Sequence, residues 1–130
     1  MKQNSMIVFV CEHGAAKSIL AAAYFNKFAR ENDLRFHAIA RGTHPDAELS
    51  AKTVAGLRED GLTPDESIPR QLTVEDIESA QRIVSFCDLP DDYYQKASVE
   101  QWEDIPSVSE DYQKARDTIV ARIPRLIESL

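Results

Sequence analysis

The chain has 130 residues, the length of one domain, and 15 Lys and Arg stand against 22 Asp and Glu for a formal net charge of -7. That balance argues against broad attraction to nucleic acid or to an anionic membrane surface, and no run approaches the roughly 20 apolar residues that span a bilayer. Two cysteines, Cys11 and Cys87, are too few for a disulfide scaffold; with no stretch of signal-peptide pattern, the expectation is a single domain over 1–130 in a reducing cytoplasm, where unpaired thiols persist.

Residues 6–10 are an unbroken apolar run, the pattern of a strand covered on both faces. After Lys17-Ser18, Leu20, Tyr24 and Phe28 recur at helical spacing among alanines that favour helix. A second strand is read over 36–40, then a helix over 46–60 with Leu49, Thr53 and Leu57 on one side and Gly61 as its stop. Thr73-Val-Glu-Asp76 has the form of a capping box before a short helix, and 82–87 gives a third apolar strand. The stretch 88–106 is the least periodic, with one short strand near 99–102. Ser107-Val-Ser-Glu110 can cap a last helix whose Tyr112, Ala115, Ile119, Ile123 and Leu126 form an apolar stripe; within it Pro124 removes one backbone hydrogen bond and marks a place for a kink. Such alternation of strand and helix implies a parallel sheet wrapped by helices, with ligands bound beyond the carboxyl ends of the strands. Cys11, Gly42 and Asp88 fall at that edge.

The chemistry concentrates in Val8-Phe-Val-Cys-Glu-His-Gly-Ala-Ala-Lys-Ser18. A strand, a tight small-residue loop and a helix N-terminus make an oxyanion cradle if the amides of Glu12, His13, Gly14, Ala15, Ala16 and Lys17 turn inward. The same partial positive charge stabilises a thiolate, so Cys11 is the expected nucleophile, held behind a bound oxyanion. Gly14 suits a positive φ, Lys17 adds a charge at the rim, and Ser18 can donate to the sulfur. The plainer reading of Cys11 is a small apolar residue ending a buried strand. A nucleotide-binding phosphate loop shares Lys17-Ser18, but its two glycines would fall on Cys11 and Ala16.

These residues resemble the low-molecular-weight protein tyrosine phosphatase loop, Cys-x5-Arg-Ser, shared in that superfamily with arsenate reductases. Ala40-Arg-Gly-Thr-His-Pro45, Arg70-Gln-Leu-Thr-Val-Glu-Asp76 and Ile83-Val-Ser-Phe-Cys-Asp88 resemble further segments of the family in register. The resemblance implies an α/β, three-layer fold with a four-stranded parallel sheet flanked by helices in flavodoxin-like order. It also implies a substrate among phosphate, arsenate and phosphorylated small molecules or proteins, and a chain that is monomeric or weakly dimeric. No cofactor is called for. With no paired His or Cys at ligand spacing, no metal is expected.

The sequence departs from that family at two places. The loop arginine is Lys17, an ammonium in place of a guanidinium that grips two oxygens at once, which predicts slower phosphoryl transfer. Arg41, beside the Gly42-Thr43 turn, either lends a guanidinium to the site or is a solvated surface residue. The family's acid, an Asp-Pro before the last helix, falls on Trp102-Glu-Asp-Ile-Pro-Ser-Val-Ser109, so that either Asp104 is the acid or the position has become Ser107 and the acid is lost. Cys87 matches the first relay cysteine of the arsenate reductases, and no later cysteine supplies the second. It is read as a buried strand residue, with a Cys11–Cys87 disulfide as the alternative.

Overall fold

The strand at Ser5–Cys11, β1, shows why its sequence is apolar throughout: Ile7, Val8, Phe9 and Val10 have no exposed surface. Alternate side chains feed separate cores, Ile7, Phe9 and Cys11 on one face of the sheet, Val8 and Val10 on the other. The computed structural model describes residues 5–130. In it β1 pairs in parallel with β2 (Phe36–Gly42) and with β3 (Ala80–Ser85), and β3 with β4 (Val99–Gln101). The order β2-β1-β3-β4 is the four-stranded parallel sheet expected from the sequence. Helices α1 (Lys17–Glu31), α2 (Ala51–Glu59) and α5 (Tyr112–Glu128) cover one face; α3 (Val74–Ser79) and α4 (Asp91–Lys96) cover the other.

The chain leaves β1 for β2 on one side and returns to β3 on the other, so a crevice opens at the carboxyl ends of β1 and β3. Phe9 makes the core beneath it continuous, its ring centroid lying 5.9 Å from Phe25, 6.3 Å from Phe86 and 6.0 Å from Trp102. Such contacts each add about 0.5–1.5 kcal/mol beyond the apolar area buried. A polar clamp joins the covering helices. Asp60 Oδ2 accepts hydrogen bonds from Tyr24 of α1 (2.5 Å) and Tyr112 of α5 (2.8 Å), and Oδ1 accepts from Arg116 (3.0 Å). Burial works against the charge of Asp60, but the two hydroxyls and the guanidinium outweigh it and hold the carboxyl below the usual carboxylate range. Burial first, then the hydrogen bond to Asp60 and its charge, pushes both tyrosine hydroxyls up.

The main departures from the sequence reading each have a local reason. The helix expected over 46–60 begins only at Ala51, with Ser50 Oγ accepting from Thr53 N at 3.3 Å, because residues 46 and 50 are drawn onto the Cys11 loop. The third strand stops at Ser85, whose Oγ donates to Cys87 O at 2.5 Å and turns the chain there. Helix α4 was not expected; it buries no residue, so it has no apolar stripe to read. The cap of α5 is Asp111, accepting from Lys114 N at 3.0 Å, while 107–110 forms a turn instead of a capping box. The capping box of α3 is present as read: Thr73 Oγ1 accepts from Asp76 N at 3.1 Å and Asp76 Oδ2 from Thr73 N at 3.0 Å.

Candidate active site

Residues 12–17 join β1 to α1, and their backbone is oriented from outside. Thr43 N donates to Cys11 O (3.3 Å), His44 N to Glu12 O (2.7 Å), Asp46 N to His13 O (3.0 Å) and Ser50 N to Ala15 O (2.9 Å). The segment following β2 thus takes up the loop carbonyls one after another. Among the described residues no backbone or side-chain acceptor receives the N–H groups of residues 12–17. Helix α1 adds to this surplus of donors, since Ala16 at its N-cap has no side chain to cap it and no acid stands in its first turn. A run of unpaired amides at a helix N-terminus is an anion site.

Two glycines allow the segment after β2 to lie so close. Gly14 has φ 61, in the left-handed region, and a Cβ there would come within 2.9 Å of Gly42 N; a Cβ on Gly42 would meet Gly14 N at 2.7 Å. The register Cys11↔Gly42 sets the two segments side by side, and Gly42 is fixed on its other edge by Arg70 O and Leu72 N. At the floor, Cys11 Sγ lies 3.0 Å from Ser18 Oγ; Ser18 is wholly buried and Cys11 9% exposed.

A cleft of about 440 Å³ opens above the sulfur, lined by Cys11, Glu12, His13, Ala15, Ala16, Lys17, Asp46, Ser50, Phe86, Cys87 and 107–109. Of the residues singled out from sequence, this brings together Cys11, Glu12, His13, Ala15, Ala16 and Lys17, with Ser18 beneath the sulfur and Gly14 buried at the contact with Gly42. Arg41 does not join them. Its guanidinium is 15% exposed and donates to Glu66 Oε1 (2.8 Å) and Asp76 Oδ2 (3.0 Å), so it is neither a site ligand nor a solvated surface residue. Asp104 is elsewhere too. Its carboxylate, 70% exposed, takes two hydrogen bonds from Arg122 (2.8 and 2.5 Å), which hold it below the usual carboxylate range. Ser107 occupies the cleft wall instead.

Cys87 corrects another expectation. It is half-buried and lies beyond the end of β3, where it lines the same cleft as Cys11 while still packing against the core that holds Val8, Val10 and Ile83. Burial pushes its thiol up; Ser85 partly offsets this, and the neighbouring Cys11 and Glu12 add to it. Asp46, Ser50 and Phe86 also line the cleft and went unread. The glycine pair was the available signal for the first two: a close approach of Gly42 to the loop carries the residues after it over the site. Among the described residues no group of three or more His, Cys, Asp or Glu could hold a metal ion, and no helix is long and apolar enough to cross a membrane.

The family profile of low molecular weight phosphotyrosine protein phosphatase matches residues 6–118. No curated protein matches the chain. The fold is similar to the low molecular weight protein tyrosine phosphatase from T. tengcongensis, with a TM-score of 0.83 and 20% identity over 97% of this chain and 99% of that one. It is similar also to the arsenate reductase from Archaeoglobus fulgidus, with a TM-score of 0.75 and 25% identity over 94% and 98% of the two chains. A third similar structure is the YwlE arginine phosphatase of Bacillus subtilis, in a cysteine-to-serine mutant with a phosphorylated active site serine: TM-score 0.81, 18% identity, 96% of this chain and 95% of that one.

Proposed function

The chain belongs to the low molecular weight phosphotyrosine protein phosphatase family, and from that premise we propose that it hydrolyses a phosphomonoester through a phosphocysteine on Cys11. The observation that carries this reading is the union of a sulfur 3.0 Å from a buried hydroxyl with a loop whose carbonyls are engaged and whose amides are open. The phosphoryl oxygens take the amides of residues 12–17 and the Lys17 ammonium, which places phosphorus before the sulfur. Attack forms the S–P bond and expels the alcohol; water then cleaves S–P and releases phosphate. Ser18 steadies the sulfur as it leaves. The phosphorylated active site serine of the YwlE mutant supports such an intermediate.

Lys17 sets the rate in this scheme. An ammonium neutralises charge but does not bind two equatorial oxygens in one plane, so phosphoryl transfer is slower than with a guanidinium. A second reading is favoured by Cys87 in the same cleft: arsenate binds Cys11, and two thiols supply two electrons to give arsenite, water and a Cys11–Cys87 disulfide, later reduced by an external dithiol. The raised Cys87 thiol makes it a sluggish partner near neutral pH and ranks this reading second. A third reading, a non-catalytic binder of oxyanions or phosphoproteins, is favoured by Lys17 and by a cleft wall carrying Ser107 where an acid is expected.

The test compares native protein, Cys11→Ser and Lys17→Arg on an aryl phosphate, with dithiol consumption followed under arsenate. The phosphatase reading expects slow hydrolysis by the native protein, none by Cys11→Ser, and a gain of about tenfold or more in Lys17→Arg, the worth of one better charge-assisted contact. Arsenate-dependent dithiol loss without ester hydrolysis selects the second reading. Vanadate binding with neither activity, in both the native protein and Lys17→Arg, selects the third.

A further inference from the structure

Ester cleavage needs a proton at the departing oxygen. The wall at 107–109 carries no carboxylate, and Asp104 is committed to Arg122. Another part of the lining holds a different donor. His13 Nδ1 lies 3.2 Å from Asp46 Oδ1, and Asp46 N donates to His13 O at 3.0 Å, so main chain and side chain tie the two residues together. The other ring nitrogen, Nε2, is 3.8 Å from Glu12 Oε2. All three side chains line the cleft with Cys11 and Lys17.

We infer that His13, oriented by Asp46, is the proton donor to the leaving group, an inference that rests on the phosphatase reading above. Imidazole is the side chain suited to giving and taking a proton near neutral pH, and a carboxylate on one ring nitrogen fixes which nitrogen does the exchange. With Nδ1 paired to Asp46 at 3.2 Å, Nε2 is the ring nitrogen left to serve the leaving group. When the Cys11 sulfur forms its bond to phosphorus, the P–O bond to the alcohol breaks and the Nε2 proton passes to the departing oxygen. In the second step neutral Nε2 accepts a proton from the attacking water as the S–P bond breaks, which restores both His13 and the thiolate.

His13 is 59% exposed, so replacing it leaves the core intact. The discriminating experiment measures kcat/KM for native protein, His13→Asn and Asp46→Asn on phenyl phosphate, whose basic phenoxide needs a proton, and on 2,4-dinitrophenyl phosphate, whose weakly basic phenoxide does not. His13→Asn is expected to lose about 100-fold or more on the first ester and under about threefold on the second. Asp46→Asn is expected to show the same selectivity with a smaller loss. Equal losses on both esters, or no loss on either, would overturn the role. If native protein cleaves neither ester, the phosphatase reading falls on its own terms and His13 is judged by ¹⁵N NMR of its ring in the orthovanadate complex. A shift of Nε2 on binding sustains its place at the apical oxygen, and an unmoved resonance rejects it.

Discussion

Helix α1 borders two polar regions built on opposite terms. Partway along it, Tyr24 meets Asp60, Tyr112 and Arg116, and each donor there has an acceptor within the protein. At its N-terminus the loop from Cys11 has carbonyls taken by the 43–50 segment, while its amides have no acceptor among the described residues and the loop lines a cleft. The first arrangement closes a charge inside three helices and stabilises the fold. The second leaves donors unmet, at a cost to stability that an incoming oxyanion would offset. The two regions are linked through α2, since Ser50 both caps that helix and binds Ala15 O, and Asp60 follows its last turn.

The largest expected effect comes from closing the gap that lets the loop form. Gly42→Ala places a Cβ 2.7 Å from Gly14 N, backbone against backbone, so the loop must move. Turnover should fall about 10²- to 10³-fold, the scale for losing oxyanion donors, with vanadate affinity falling alongside. Stability should drop by only about 1–3 kcal/mol in urea unfolding. A variant that unfolds while still binding vanadate normally would erase the distinction between the regions.

Asp60→Ala is the converse. Leaving Tyr24, Tyr112 and Arg116 without their acceptor should cost about 3 kcal/mol of stability and leave oxyanion affinity unchanged. The pH dependence follows from the lowered carboxyl of Asp60. A carboxyl whose folded pKa lies below its unfolded one contributes stability fully above the unfolded value and loses it as pH falls through the folded value. Native protein should therefore lose stability on acidification below the ordinary carboxylate range, and Asp60→Asn should lose less over the same window. The smallest effect belongs to Asp104→Asn, which should change kcat by less than about twofold where removal of a true general acid costs about 10²- to 10⁴-fold.

The scaffold of both regions was readable from sequence where patterns are local. The β1 run, the alanine-rich α1 and the Thr73–Asp76 box each depend on residues near in sequence, and Gly14 announced its positive φ by its place in a tight loop. Arg41 was misread because Glu66 and Asp76 reach it from far along the chain. Asp104 stood at a plausible position, but Arg122, nearly two turns before the end of α5, claimed it. The onset of α2 was misplaced because residues 46 and 50 spend their amides on loop carbonyls, a demand set by the sheet register and not by helical spacing. Phe86 and Cys87 read as strand, whereas the turn made by Ser85 carries them to the cleft.

The central claim is that the amides of residues 12–17 are the protein's oxyanion receptor. Titration of ¹⁵N-labelled protein with orthovanadate tests it most directly, by following each backbone amide. The largest shifts should fall on residues 12–17, with Tyr24, Asp60 and Tyr112 unmoved. Saturable binding that leaves those loop amides in place, or shifts concentrated around Asp60, would contradict the account.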